Sequence, residues 1–584
     1  MNIYTFFQNE LVQILKALGA EHDWPQNLDL SRVTVDPPRD ESHGDLATNA
    51  AMVLAKNLAM QPQALATLIR DALLNHSMIR DAEVAGPGFI NMTLEASFWQ
   101  TQFKTLLKLN HLYGTADQQK GIAVNVEYAS VNPTGPLHIG HCRVAIVADV
   151  LANILEKVGY AVTREYYVND SGGQARELTH SLYKRYLELL GLPFESLGAY
   201  QGIYLIPVAQ ELIDRDGDRW AHVDESEWYE PLREFAVSRM MSRIKKDLAS
   251  LGIHHDIFSS EDALIKAGKV DEAFSTMQQL GLIYQGTLEP PKGQQLPEDW
   301  EPREQTLFRS TSFGDDMDRA MKKSDGSWTY FANDLAYHFD KFKRGSSILI
   351  DVLGADHVGY VSRITAGVRA ITARQADAVV KLCQMVRFID GGQVLKMSKR
   401  AGVFVTVDQA LEKVGKDAMR FIMLTRKNDA PLDFDFDKVI EQTKDNPVFY
   451  VQYAHARCHS IRKHLKNSFP DLDLSPETLS TLDFSHHFED DDEKSLIKFL
   501  ALFPRVLDMS AIHYEPHRVA FYLNDLAARF HSLWNKGRDN DELRFIIPDN
   551  ATASYHRYAL VDAVRIVLST GLHIMGVTPL EEMR

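Results

Sequence analysis

The stretch NPTGPLHIGHCR, Asn132 to Arg143, decides how the rest of the chain is read. Two prolines and a glycine mark a turn-rich loop, His138 and His141 flank Gly140, and an apolar-periodic run extends from Leu137 to Val158. The histidines therefore stand where a loop turns into a helix. Upstream, IAVNVEYAS from Ile122 reads as a short buried strand, and beyond the Gly159-Tyr160 break AVTREYYV reads as a second one. Strand, helix and strand make a βαβ unit, the opening of a parallel, doubly wound sheet. At a helix N-terminus the unpaired N–H groups and the macrodipole favour anions, so imidazoles placed there can face a phosphate. By itself such a pair better suits polar positions at an ordinary helix start.

A second group of alternating elements follows much later: helix YFANDLAYHFDKFKRG, strand SSILIDVLGAD, helix GYVSRITAGVRAI and strand-like VVKLCQMVRFID. Between the two groups lies a mostly helical insertion with the Pro-rich loop LEPPKGQQLPEDWEPRE. The first 115 or so residues mix helical periodicity (Phe6, Phe7, Leu11, Ile14, Leu15, Leu18) with the strand-like AEVAGPGFINMTL, as a small α/β domain does. After about Asp435 strand signals nearly vanish, and runs such as NPVFYVQYAHARCHSIRKHL and HRVAFYLNDLAARFHSLWNKG predict an all-helical bundle.

With 584 residues the chain exceeds one compact core and suggests about three to five domains. Its 45% hydrophobic and 24% charged content is that of an ordinary globular protein, and no apolar run approaches the roughly 18 residues of a membrane span. The N-terminus lacks the basic start and cleavage site of a signal peptide, which predicts a cytoplasmic protein. Three isolated cysteines, Cys142, Cys383 and Cys458, allow neither a disulfide framework nor a C-x-x-C zinc site, so no structural metal is expected. The acidic run Glu489 to Glu493 beside His486 and His487 is read as a helix start, where acids are favoured, and not as a metal site. A net charge of −16 argues against nucleic acid only globally, because a large acidic protein can carry a basic face.

The segment GGQVLKMSKRAG, 391 to 402, answers the opening one. It is a Gly-rich turn with Lys396 and Lys399 separated by Met397 and Ser398, and it follows the second βα group, with Lys396 roughly 255 residues after His141. HIGH at a strand-to-helix transition followed by KMSK resembles the paired signature of class I aminoacyl-tRNA synthetases. The longer segments VEYASVNPTGPLHIGH, REYYVNDSGGQ, LGIHHDIFSSE, LGADHVGY, LKMSKRAGVFVTVDQALEKVGKDAMRF, NPVFYVQYAHAR and GVTPLEEMR narrow the resemblance to bacterial arginyl-tRNA synthetases, over nearly the whole chain. Val131, Cys142 and Arg400 depart from residues common in relatives, but no catalytic group is lost.

The resemblance implies a Rossmann-type (HUP-like) α/β parallel-sheet catalytic domain with helical insertions, an N-terminal α/β domain and an all-α C-terminal anticodon-binding bundle. The expected boundaries are 1–116 for the domain that meets the tRNA D-loop, 117–395 for the catalytic domain with an insertion at about 195–305, 396–440 for the KMSK loop and stem-contact region, and 441–584 for the bundle. It implies activation of L-arginine with ATP and Mg2+, transfer to tRNA(Arg), a need for bound tRNA before activation, and a monomer that binds neither DNA nor membrane. His138, His141, Lys396 and Lys399 are the expected catalytic residues, with Pro136, Gly140, Gly354, Asp356, His357, Met397 and Ser398 at ATP. Stabilising charge on phosphoryl oxygens is what such donors can do. A guanidinium that never deprotonates calls for carboxylates. By resemblance Glu127 and Asp334 meet the charged ends of arginine, Asn132 holds its α-amino group, Tyr330 packs along its stem, and Glu261 is a further carboxylate candidate. Phe89 and Asn91 are expected at the D-loop, and Tyr453, Arg457, Trp534 and Asn535 at the anticodon. A cysteinyl enzyme would need zinc ligands, a glutamyl enzyme a basic pocket, and a nucleotidylyltransferase no KMSK partner or helical C-terminal domain. A silent tRNA-binding paralogue would not need these histidines and lysines.

Overall fold

The computed structural model describes residues 2–117, 119–288, 303–395 and 404–583. At the N-terminus helix Ile3–Glu21, capped by the Asn2 side chain, buries Phe7, Leu11, Leu15 and Leu18. That stripe packs against helix Pro62–Leu73, which lies on a four-stranded antiparallel sheet ordered Val35–Asp36, Leu46–Thr48, Phe89–Leu94, Ile79–Ala85. The chain then leaves through helix Ala96–Leu109, and Tyr113 is buried against Phe503 of the C-terminal half.

The central sheet is parallel and five-stranded. Strand β1 (Ala123–Tyr128) leads through the His138 turn into α1 (Cys142–Lys157) and on to β2 (Ala161–Val168). Then come α2 (Glu225–Ser250), β3 (Ile257–Ser260), α3 (Tyr330–Lys343), β4 (Ile348–Gly354) and β5 (Asp377–Cys383). The order across the sheet is β5-β4-β1-β2-β3. Both faces of β1 are covered, so nearly all of it is buried, and α1 is apolar around most of its circumference for the same reason. Successive strands run one way from β1 and the other way from β4. The two strands are neighbours, and the loops leaving their carboxyl ends diverge, which opens a crevice.

Two elements differ from the sequence reading. Residues expected as a mostly helical insertion also supply β3, an edge strand of the main sheet, and a small antiparallel sheet of Ile283–Gly286, Gln305–Phe308 and Arg319–Ala320. These strands are four residues or shorter, too brief for period-2 patterning to show. VVKLCQMVRFID is two strands in two sheets: β5, and Val386–Asp390, which pairs with Leu432–Asp435.

Beyond these, α4 (Val407–Val414) and α5 (Lys416–Ile422) lead to a helical bundle whose long members are α6 (Pro447–Ser468), α7 (His517–Asp539) and α8 (Ala551–Ile574). The bundle core is continuous with that of the catalytic sheet. At their junction the fully buried Arg420 donates to Asp149 (2.5 Å) on α1, to the Leu251 carbonyl (2.9 Å) after α2 and to the Met575 carbonyl (2.7 Å) after α8. Gly576, at φ +66, leaves room for that guanidinium. No described helix is long and apolar enough to cross a membrane.

Candidate active site

The crevice at the carboxyl ends of β1 and β4 is a cleft of about 680 Å3. One wall is the turn from Ala129 to Asn132 with His138, Gly140 and His141; the other is the end of β4 with Gly354, Asp356 and His357; Tyr167, Asn169, Asp334, Asp351 and Tyr360 close its inner end. The two imidazoles stack, with ring centroids 3.7 Å apart. Nδ1 of His138 accepts the Gly140 N–H (3.2 Å), and Nδ1 of His141 accepts the His138 N–H (3.3 Å). An Nδ1 that accepts cannot carry the proton, so each neutral ring keeps it on Nε2, a donor suited to phosphoryl oxygen.

The expected partners Lys396, Met397, Ser398 and Lys399 lie outside the described residues. The chain on either side of them is placed: Leu395 N–H donates to the Phe388 carbonyl (2.9 Å), and beyond residue 403 the chain returns against the histidine turn. Thr406 bridges His138 in antiparallel fashion, Ile139 N–H donates to the Val405 carbonyl (3.1 Å), and the Phe404 ring lies 5.8 Å from that of His138. Thr406 also caps α4 in a reciprocal capping box with Gln409.

Strand register builds an acidic floor. Asp351 on β4 and Glu165 on β2 are the direct neighbours of Glu127 on β1, so three carboxylates stand in one row across the sheet. Adjacent like charges repel, and buried ones need partners. Helix α3 and its C-cap supply them at a spacing of three: His338 meets Asp351 (2.9 Å), Lys341 meets Glu127 (2.6 Å) and Asp351 (3.2 Å), and Arg344 meets both oxygens of Glu165 (2.8 Å). Burial opposes the charge on His338 most strongly, but the charge and hydrogen bond of Asp351 together with the Glu127 charge overcome it and raise that pKa; burial of Asp351 is likewise overcome by Lys341 and His338, which hold its carboxyl well below the usual range. Asp334, on the same helix, has no such cation among the described residues. Burial, with Glu127, Glu261 and Asp351 nearby, outweighs the opposing His338 and pushes it up to about 7.

The cleft thus brings together Glu127, Asn132, His138, Gly140, His141, Asp334, Gly354, Asp356 and His357. A Cβ at Gly354 would meet the Asp356 carboxylate, so a larger residue there would turn that exposed side chain aside. Three expected residues are placed elsewhere. Pro136 is buried away from the cleft lining. Tyr330 is 53% exposed with Lys323 over its ring (4.8 Å), because the first residue of α3 lies a full turn beyond Asp334, outside the cleft. Glu261 is buried behind the lining, accepting from Ser171 (2.5 Å) and Asn333 (3.1 Å). Sequence reasoning passed over Tyr167, Asp351 and Arg143. The Arg143 guanidinium, 1% exposed, donates to the carbonyls of Gln384 (3.0 Å), Lys427 (2.7 Å) and Ala430 (2.7 Å), tying the start of α1 to the end of β5. A charged residue inside the apolar run of α1 was the available signal.

Among the described residues one group has metal-ligand spacing, Glu127, His338 and Asp351, and Lys341 already fills it with an ammonium. The acidic run near His487 is a helix start: Asp490 caps helix Asp491–Ala501, and Lys536 pairs with Asp490 (3.0 Å) and Asp492 (2.8 Å). In the bundle, Arg457 lies between the rings of Tyr453 (4.5 Å) and Trp534 (4.8 Å) and donates to the Tyr453 hydroxyl (2.7 Å) and to Nδ1 of His531 (2.9 Å). Burial and the Arg457 charge push His531 down to about 4, which keeps it an acceptor. Asn535 is exposed beside this cluster. Lys463 reaches Glu582 of the C-terminal segment, so part of the basic face of α6 is neutralised internally. Phe89 is exposed and Asn91 half-buried on their strand.

Residues 5–94 match the family described as the arginyl tRNA synthetase N-terminal domain, 102–204 the class I (R) tRNA synthetase catalytic domain, and 451–583 the DALR anticodon binding domain. The chain is 50% identical over 593 residues to the arginine–tRNA ligase of Rhodospirillum rubrum and 51% over 586 residues to that of Parvibaculum lavamentivorans, in each case over 100% of both chains. The Thermus thermophilus arginyl-tRNA synthetase structure superposes with a TM-score of 0.73 at 21% identity, covering 99% of this chain and 100% of that one.

Proposed function

We propose, from the premise that this chain belongs to the arginine–tRNA ligase family, how its cleft residues divide the work of charging tRNA(Arg). The enzyme activates L-arginine with ATP to arginyl-adenylate and pyrophosphate, then transfers arginine to the 3′ end of its tRNA. The observation that carries the division is the antiparallel contact of His138 with Thr406 beside a cleft whose inner end is acidic.

ATP lies on the histidine side. Nε2–H donors of His138 and His141 meet charge that builds on phosphoryl oxygen as the arginine carboxylate attacks the α-phosphorus and pyrophosphate leaves. Gly140 leaves space for adenine, and Gly354, Asp356 and His357 hold the ribose side. Lys396 and Lys399 act on the pyrophosphate, as the family resemblance implies. Mg2+ arrives as the counterion of ATP, since Lys341 occupies the described carboxylate group that could otherwise hold a cation. Arginine lies on the acidic side. Asp334, which no cation among the described residues meets, takes a positive end of the substrate; Glu127 contributes through the field it shares with Lys341; Asn132 holds the α-amino group. Phe89 and Asn91 meet the D-loop, and the Arg457 cluster with Asn535 meets the anticodon, where planar groups stack on unpaired bases. The enzyme acts as a cytoplasmic monomer and activates arginine only with tRNA bound.

The test is aminoacylation of total bacterial tRNA with each amino acid in turn, together with pyrophosphate exchange. Arginine alone is charged, exchange starts only when tRNA is added, and His141→Ala lowers adenylate formation about 10²–10³-fold with tRNA affinity retained. Charging of another amino acid refutes the specificity; equal loss of chemistry and tRNA binding assigns His141 to folding.

A further inference from the structure

Helix α2 contributes none of the residues lining the cleft, yet its C-terminal half touches both segments that meet there. Asp247 is 1% exposed, and its Oδ2 accepts the N–H of Leu137, the residue before His138, at 2.9 Å. Its Oδ1 accepts from Nε of Arg243 (3.1 Å), one turn earlier on α2. The same guanidinium donates from Nη2 to Asp408 (2.9 Å) in the first turn of α4, two residues after the Thr406 that bridges His138.

The backbone contact between the two segments is short: Ile139 N–H to Val405 and Val407 N–H to Leu137, at 3.1 and 3.3 Å. Leu137, Ile139 and Val407 are buried in one core cluster, so packing and these two bonds set the register of the contact. A planar guanidinium anchored on a rigid helix and forked between two carboxylates adds an angular constraint to that contact, because its donors have fixed directions where those of an ammonium rotate. Spacing matters here, because a misplacement of about 1 Å between reacting groups can cost about 10²-fold in rate.

We propose that Arg243 and Asp247 form a strut that holds the histidine turn and the start of α4 at fixed spacing, and that they are positioning residues for adenylate formation. The proposal rests on the reading that the histidine turn and the loop before α4 act on ATP. Neither residue touches substrate; each acts through the backbone it holds.

The experiment uses the full-length enzyme with saturating tRNA and reads kcat for pyrophosphate exchange, KM for arginine and the thermal midpoint in Arg243→Gln, Arg243→Lys, Asp408→Asn and the Gln–Asn double variant. Arg243→Gln lowers kcat about tenfold with arginine KM within about twofold, and Arg243→Lys recovers part of the loss because its rotatable ammonium holds the two carboxylates less rigidly than the planar fork does. Asp408→Asn loses about threefold, and the double variant is no worse than Arg243→Gln, as members of one network are non-additive. Arg243→Gln with wild-type kcat, losses that multiply in the double variant, or losses that only follow the thermal midpoint overturn the strut. Should Arg243→Gln not fold, Arg243→Lys and Asp408→Asn decide alone, since the side chains they alter are 41% and 36% exposed. His141→Ala separates the two readings: if it leaves exchange intact the cleft reading fails, and if it abolishes exchange while Arg243→Gln is silent only the strut fails.

Discussion

The floor of the cleft and the outer face of the helical bundle both gather cations and rings, and they use them in opposite ways. Under the cleft, Lys341 is fully buried and its ammonium is consumed by Glu127 and Asp351. On the bundle, Arg457 is half-buried, stacked between Tyr453 and Trp534, and bonded to neutral acceptors. A buried charge is costly without a counter-charge, so the floor is assembled as a nearly compensated network. A stacked surface guanidinium keeps its charge for a partner from solution. Asp334, which this network leaves without a cation among the described residues, lines the cleft beside Glu127 and Asp351.

Removing the floor's central cation has the largest effect. Lys341→Met leaves Glu127 and Asp351 buried without it and costs about 3–5 kcal/mol of stability in denaturant titrations; an unchanged unfolding midpoint would mean that the floor is not a charge network. Next is Asp334→Asn, which raises the arginine KM about 10–100-fold with little change in kcat, since a ground-state contact is lost. Because Asp334 is raised to about 7, it is neutral below that pH and charged above it. A cationic substrate prefers the charged form, so the wild-type arginine KM falls as pH rises from 6 to 8, whereas the Asn variant is flat across that range. The smallest of the three is Arg457→Ala, which raises the KM for tRNA about tenfold, the scale of one stacked base, and leaves the arginine KM alone. If Arg457→Ala altered arginine binding and Lys341→Met altered only tRNA binding, the contrast between the two regions would be inverted.

Much of this was legible from local pattern. The Pro/Gly loop, HIGH and the apolar run of α1 placed the histidines at a strand-to-helix turn, and the periodicity of residues 3–18 and of the last 140 or so residues placed their helices. Asp334 and Glu127 were nameable only through the resemblance; that an arginine pocket calls for carboxylates does not by itself pick them out of 79 acidic residues. Tyr330 was misplaced because a spacing of four puts residues on one helical face without saying where the helix enters its pocket. Strand β3 was passed over because four residues inside a long helical stretch carry no period. Arg243 and Asp247 read as ordinary polar residues on a helix of mixed composition.

Sequence by itself determined the first βαβ unit, the histidine turn, the long terminal helices and the family to which its segments are similar, because each is written in a contiguous stretch of chain. Only the tertiary structure decided that Asp351, Glu127 and Glu165 share a row, that His338, Lys341 and Arg344 answer them, and that Thr406 comes to lie on His138. Those are matters of register and packing between segments far apart in the chain, where the compensation of buried charge selects one arrangement among many that local propensity would allow.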